Sequence, residues 1–262
     1  MTLSISVATW NIHKGFSQFN RRMMVHELRE RLRALNADIV FLQEVQGLHL
    51  KHAEQHEHWP AEPQHEFLAA DVWHNSAYGK NVVYDHGHHG NAILSRFPIL
   101  HQHNQDVTHL RFERRGLLHC AIELPQLNQV LHCVCVHLSL FARSRRWQLD
   151  ALASYIDRMV MPGAPLLIAG DFNDWRNHAG DMLAQRLGLS EIFTDTHSLA
   201  NQNKVARPRR SYPAALPLFR LDRIYQRGLI ATATHRHAGL PWSRISDHAA
   251  LSATLQIAST AA

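Results

Sequence analysis

Residues 37–45 read ADIVFLQEV, a short apolar run that closes on a carboxylate, Glu44. Ile39, Val40 and Phe41 favour extended backbone, and the run is too short for a buried helix, so it reads as a buried strand. A second such run, PLLIA at 165–169, is followed at once by Gly170-Asp171. Working outward from 37–45, Ile5 to Ala8 forms another apolar strand. Between them Leu28, Leu32 and Leu35 recur at helical spacing in an arginine-rich stretch, the pattern of an amphipathic helix. Asn91–Leu94, Leu117–Leu124 and Val130–Leu138 read as further strands. Leu149, Leu152, Ile156 and Val160 mark a second helix, which Pro162-Gly163 stops. A helix is expected near Asp181–Leu187, a long loop over Asn201–Pro217, and strands near Leu221–Tyr225 and Ala250–Leu255. No repeat, low-complexity tract or linker interrupts the series. The expectation is a single α/β domain over 1–262, with helices covering sheet faces.

The composition agrees. Of 262 residues, 45% are hydrophobic and 19% charged, which excludes wholesale disorder and fibrous structure. A chain of this length needs no disulfide or metal staple. Three cysteines cannot all pair, and Cys133 and Cys135 lie two apart on one strand face, poorly placed to bridge each other. A reducing compartment is expected. No apolar run reaches the length of a membrane span, and Met1 to Ala8 lacks the marks of a signal peptide, so a cytoplasmic protein is expected. Lys plus Arg exceeds Asp plus Glu by 27 − 22 = +5, an excess that permits a polyanionic partner.

Polar residues collect at strand ends. They are Asn11, Glu44, His137, Asp171, Asn173, Asp222, Asp247 and His248. One strand-end acid is as readily a cap or a solvated loop residue. The whole set is harder to explain that way. In an extended segment Asp171 and Asn173 would face one side and reach one water, whereas the neighbours Asp247 and His248 would point to different sides. Glu44 is a hard oxygen donor, and a set of carboxylates and amides without cysteine suits Mg²⁺ or Mn²⁺ better than a structural zinc.

These segments, taken in order, resemble the endonuclease/exonuclease/phosphatase superfamily, which includes deoxyribonuclease I, exonuclease III-like abasic endonucleases, neutral sphingomyelinases and inositol polyphosphate phosphatases. The matching stretches are Thr9-Trp10-Asn11, Asp38 to Glu44, Gly90 to Pro98, His137-Leu138, Gly170-Asp171-Phe172-Asn173, Leu221 to Ile224 and Ser246-Asp247-His248. The resemblance implies a four-layer α/β/β/α sandwich of two mainly antiparallel sheets with outer helices. It also implies metal-dependent hydrolysis of a phosphate ester. Glu44 then corresponds to the principal metal ligand, with Asn11 beside it and Asp247 as a further metal-site carboxylate. Asp171 would orient or deprotonate the attacking water, helped by Asn173. His248 would contact the phosphate, held by Asp222. His137 matches a second phosphate-facing position, but the carboxylate that partners it in the family has no counterpart in Ser76–Asn81. Arg115 resembles an arginine that reaches a substrate phosphate; a solvated loop arginine is the alternative.

Other groups have plainer readings. His49, His52, His56 and His58 would put three imidazoles on one helix face, more readily a solvated patch than a metal site. His86, His88 and His89 are expected in a loop, where they could line the cleft but are more readily solvated, and Trp10 and Trp175 are expected in packing. Arg143, Arg145 and Arg146 begin a helix, the wrong end for its dipole, which suggests an anion partner. Arg207, Arg209 and Arg210 with Tyr212 would grip a nucleic-acid backbone and stack a base. The expected function is therefore a Mg²⁺- or Mn²⁺-dependent phosphodiesterase acting on nucleic acid, as a monomer. A phospholipid or sugar-phosphate substrate is the alternative, with anionic phospholipid as the partner. A binding module that has lost its chemistry is a third reading, opposed by the presence of every polar residue of the set.

Overall fold

The computed structural model describes residues 2–193 and 209–258. One six-stranded sheet contains β1 (Thr2–Asn11), β2 (Ile39–His49), β3 (Asn75–Tyr84), β4 (Gly87–Ser95), β11 (Ile230–His237) and β12 (Ala250–Ala258). The other contains β5 (Ile99–Asp106), β6 (Gly116–Leu124), β7 (Gln129–His137), β8 (Leu166–Asp171), β9 (Ser190–Glu191) and β10 (Asp222–Arg227). The helices are α1 (Val25–Leu35), α2 (Leu50–Gln55), α3 (Gln64–Ala69), α4 (Ala142–Met159) and α5 (His178–Leu187). Strand order is β11-β12-β1-β2-β4-β3 in the first sheet and β5-β6-β7-β8-β10-β9 in the second.

Each sheet has one parallel pair at its centre, β1 with β2 and β7 with β8; the other pairings are antiparallel. Parallel neighbours need a crossover, and α1 and α4 supply it. Alternation along the central strands sorts the side chains into three apolar layers. Val7, Ile39, Phe41, Cys133, Cys135, Leu167 and Ala169 point between the sheets. Ala8, Trp10, Val40 and Leu42 point outward onto Leu28 and Leu32 of α1 and Leu68 of α3. Val134, Val136, Leu166 and Ile168 point outward onto Leu149, Leu152 and Ile156 of α4 and Leu183 of α5. The architecture is the four-layer α/β/β/α sandwich. Cys133 and Cys135 share the inter-sheet face and, with Cys120, are free and buried.

Four strands are not among those expected, β3, β5, β9 and β11, the edge strands of the two sheets. β9 is two residues long, and the other three read as polar because one side of an edge strand meets solvent. His88 and His89, expected in a loop, lie on β4. Among the described residues no helix is long and apolar enough to cross a membrane.

The topology positions the polar set. β1 and β2 run in one direction and end at one edge of the sandwich, and β7 and β8 end at that same edge. β10 is antiparallel to β8 and starts where β8 stops, with Asp222 opposite Asp171. β12, antiparallel to β1, likewise starts just after His248.

Candidate active site

A cavity of about 580 Å³ opens at that edge. Asn11, Glu44, His137, Asp171, Asn173, Asp247 and His248 line it, together with Arg115 and Tyr212. Asp222 stands behind His248. Arg209 is exposed and is not on the wall. Arg207 lies outside the described residues.

Local backbone aims these side chains. Glu44 sits in the left-handed region (φ 55) where the register of β2 against β4 shifts between Leu42 and Val45. The bulge turns the carboxylate out of the strand's alternation and into the cavity. His13 (φ 45), Lys14 (φ 58) and Asn173 (φ 50) also take positive φ, and all three line the cavity. Such a concentration of uncommon backbone at one site is a mark of function. Asn173 is therefore not in an extended segment with Asp171, as the spacing suggested. Its backbone N–H instead turns back to donate to Oδ1 of Asp171 (2.9 Å), while its side-chain amide donates to the carbonyl of Leu138 (2.9 Å). Gly170 (φ 145) precedes this turn, and a Cβ there would collide with the carbonyl oxygen of Val136. Only glycine lets β8 run so close to β7 and still turn.

His248 and Asp222 form a buried pair, Nδ1 to Oδ2 at 2.8 Å. Burial opposes the charged imidazole, but Asp222, by charge and hydrogen bond, and then Asp171 and Asp247 raise His248 to about 10. The group is an imidazolium at neutral pH. The indole N–H of Trp10 donates to the carbonyl of His248 (2.8 Å), and Ser246 Oγ donates to the carbonyl of Asn11 (2.7 Å), tying the β12 entry to the end of β1. Trp10 packs as expected and positions the imidazole as well. The ring of Tyr212 lies 4.9 Å from that of His248.

Asp171 faces this imidazolium, its Oδ2 3.8 Å from His248 Nε2. Burial, with the nearby Asp222 charge, pushes its carboxyl up to about 6 against the pull of His248 and two hydrogen bonds. The amide of Asn11 donates to Asp171 Oδ2 (3.2 Å) and lies 3.5 Å from Glu44 Oε1. Burial would raise Glu44, yet the basic groups around it, His137 first and then Lys14 with its Nζ at 3.6 Å, hold it at about 2. His137 Nε2 is 3.6 Å from Asp171 Oδ2, but burial and Arg115 keep this imidazole well below its usual range. Arg115 is not a solvated loop residue. Its guanidinium pairs with Glu113 (3.1 Å) and reaches the Leu138 carbonyl (3.4 Å).

The donor set fits a hard divalent cation. Glu44 remains ionised, and Asp247 Oδ1 is buried without a hydrogen-bond partner, 3.5 Å from His13 Nδ1. Asn11 Oδ1 already accepts from the backbone N–H of His13 (3.2 Å), so its oxygen becomes a donor only if that bond opens. Asp171, Asp222 and His248 also bring ligand atoms within 4.8 Å of one another. Because His248 Nδ1 is hydrogen-bonded to Asp222 and its Nε2 faces Asp171 at 3.8 Å, this trio is a charge-paired set rather than a cage.

Several expectations change. Arg145 is buried; it donates to the carbonyls of Ser139 (2.9 Å) and Leu140 (3.1 Å) and lies 3.9 Å from Asp174. It pins a turn and is not free for an anion. Its guanidinium also sits 5.4 Å over Trp175, which is half-exposed on the cavity wall rather than packed inside. His49, His52 and His56 do come together, although only His52 lies within the six-residue α2: His49 and His56 cap it at either end, and His52 stacks on His49 at 3.5 Å and meets His56 edge-on at 5.8 Å, beside Phe16 and Trp59. His58 lies beyond α2, where its carbonyl meets the His26 ring. Sequence reading missed His13 and Lys14 on the wall, while His89 is there in line with one of its two readings. The run Asn11-Ile12-His13-Lys14 did hold a signal, two basic residues just after a strand-end amide.

The Endonuclease/Exonuclease/phosphatase family model matches residues 8–248. Over 254 residues the chain is 46% identical to the uncharacterized protein YbhP of Escherichia coli (strain K12), with 97% of each chain covered. Among solved structures, D. rerio TDP2 complexed with a single-strand DNA product superposes with a TM-score of 0.66 at 20% identity, over 96% of this chain and 98% of that one. The mannosyl-6-phosphatase Bt3783 of Bacteroides thetaiotaomicron VPI-5482 gives 0.68 at 13% identity, over 96% and 99%.

Proposed function

Since the chain belongs to the endonuclease/exonuclease/phosphatase family, we propose that it hydrolyses a phosphate ester by attack of water on phosphorus, assisted by Mg²⁺ or Mn²⁺. The observation that carries this reading is one cavity in which the buried His248 imidazolium, backed by Asp222 at 2.8 Å, faces the buried Asp171 carboxylate. Asp171 accepts a proton from the water as its oxygen bonds to phosphorus and the bond to the leaving oxygen breaks. The Asn173 N–H and the Asn11 amide hold that carboxylate in place. His248 donates to a phosphate oxygen as negative charge develops on it, the kind of preorganised stabilisation that is commonly the largest single contribution to catalysis. Arg115, steadied by Glu113, and His137 offer further N–H donors to the phosphate. Glu44 and Asp247, with Asn11 beside them, would hold the cation, which supplies neutralisation of the phosphate oxygens when bound.

The sequence favours a nucleic-acid phosphodiester, with a phospholipid or sugar phosphate as the alternative. The DNA product bound to D. rerio TDP2 supports the first, and the mannosyl-6-phosphatase supports the second. Burial of Arg145 and the place of Arg209 off the cavity wall weaken the arginine track that the nucleic-acid reading relied on. The test is a panel of oligonucleotide, dispersed phospholipid and sugar phosphate with Mg²⁺ or Mn²⁺. Turnover of at least one, abolished by chelator, is expected. No turnover across the panel with either metal would refute the reading.

A further inference from the structure

Three short segments surround the cavity mouth, and each presents large apolar side chains to solvent. The first is a tight turn closed by the bridge between Leu110 and Glu113, with Phe112 at its tip, 77% exposed. The second is the entry to α4, where Leu140 and Phe141 are exposed and Phe141 meets Phe112 edge-on at 6.1 Å. The third is a hairpin closed by the bridge between Tyr212 and Phe219, in which Leu218 and Phe219 are exposed. Leu140 and Phe219 are also on the cavity wall, as is the half-exposed Trp175, which Arg145 holds from behind. Single exposed apolar residues need no explanation, but several turn tips gathered round one opening do. Turn tips ordinarily carry small or polar residues.

Among the described residues, the exposed charge on these segments has one sign. Arg111, Arg114, Arg143, Arg146, Arg176 and Arg210 are exposed in or beside these segments. The acid among them, Glu113, is taken up by Arg115, Ser139 and the N–H of Leu140. Apolar tips within a ring of arginines match the two layers of an anionic bilayer, hydrocarbon beneath phosphate. A single-stranded nucleic acid would also attract arginines and stack on rings. Leu140 and Leu218 have no ring to offer a base, whereas an aliphatic side chain inserts readily into an acyl layer.

We propose that the cavity mouth is a docking surface for an anionic phospholipid bilayer, which makes the substrate a lipid headgroup phosphate drawn into the cavity below. The substrate class rests on the phosphoester-hydrolase reading above. The docking surface stands on its own residues.

The experiment measures partitioning onto phosphatidylcholine vesicles with and without phosphatidylglycerol, alongside turnover of bis-p-nitrophenyl phosphate, a soluble diester that needs no docking. The variants are the triple Phe112→Ser/Phe141→Ser/Leu218→Ser and the double Arg143→Ala/Arg146→Ala. None of these five side chains lines the cavity. Phe141 is the residue preceding α4, where serine is a favoured cap, so the triple variant should fold. The parent is expected to bind the anionic vesicles and to release them as salt rises. The triple should lose about tenfold or more in partitioning, and the double roughly fivefold per arginine. Both should keep parental turnover of the soluble diester.

A parent that hydrolyses the diester but ignores both vesicle types overturns the docking surface and leaves the hydrolase reading intact. Equal vesicle binding by parent and triple variant overturns it too. Vesicle binding without lipid turnover supports the surface but defeats the lipid substrate, and if the soluble diester, oligonucleotide and sugar phosphate are not turned over either, the hydrolase reading fails with it. If a labelled single-stranded oligonucleotide binds in place of vesicles, and the triple variant loses it, the rim serves nucleic acid and the proposal is wrong.

Discussion

Replacing Asp222 with asparagine removes a charge from behind His248 while leaving an oxygen to accept its Nδ1–H. In the parent, burial would favour a neutral imidazole, yet Asp222 first, then Asp171 and Asp247, hold the folded-state value at about 10, against an ordinary 6.5. The folded-state value is the raised one. The stabilisation is therefore fully present below pH 6.5 and is lost as pH climbs through about 10. Between those limits the folded chain binds one proton more than the unfolded chain. Unfolding free energy then falls by about 1.4 kcal/mol per pH unit from this group alone. His248 is 8% exposed and Asp222 fully buried, so solvent screens this pair little. In Asp222→Asn the imidazole loses its main counter-charge and most of that slope. The stability gap between parent and variant should narrow by about 2–3 kcal/mol from pH 7 to pH 9. Urea unfolding in chelator at pH 7, 8 and 9 measures it, and the difference between proteins cancels groups that titrate in both. A gap that stays constant over this range would show that Asp222 does not hold the proton on His248.

Asp171→Asn keeps an acceptor for the Asn173 N–H and should remain folded, while turnover falls about a hundredfold or more; a folded variant at parental rate would move proton acceptance elsewhere. Arg145→Ala leaves the Ser139 and Leu140 carbonyls without their donor and removes the guanidinium 3.9 Å from the Asp174 carboxylate. It should cost about 2–4 kcal/mol, against no more than about 0.5 for the exposed Arg143→Ala; equal melting temperatures for the two would contradict the burial of Arg145. Burial pushes the thiols of Cys120 and Cys135 up to about 12 and Cys133 well above its usual value. All three should resist a thiol reagent at neutral pH in the native chain and react together in urea, and fast labelling without unfolding would show the inter-sheet layer to be open.

The central strands were legible because both their faces are buried. ADIVFLQEV and PLLIA have no polar side to hide them. β3, β5 and β11 were not, since each has solvent along one edge, and runs such as ILHQHNQD carry little apolar signal. The polar ends of the central strands could be read from order alone. The reach of Glu44 could not, because it depends on a bulge that no local residue preference announces. Arg145 misled for a related reason. Its position at a helix start resembled an anion collector, and its actual partners are carbonyls of the preceding turn and an aspartate from after β8. Trp175 misled in the other direction, since an aromatic beside an acid ordinarily packs inward, whereas this one faces the cavity over a buried guanidinium.

The central claim is that Glu44 anchors the divalent cation on which phosphoester hydrolysis depends. The direct measurement is a Mg²⁺ and Mn²⁺ titration of bis-p-nitrophenyl phosphate turnover, run on the parent and on Glu44→Gln, with metal binding followed by calorimetry on the same samples. Glutamine keeps the length and one oxygen of the side chain but removes the charge that Lys14 and the surrounding imidazoles hold ionised. The parent should be inactive in chelator and saturate with metal. The variant should bind metal more weakly and turn over about a hundredfold more slowly or worse, a loss on the scale of a single key electrostatic group in an active site. Equal metal affinity and equal turnover in the two proteins would contradict the claim.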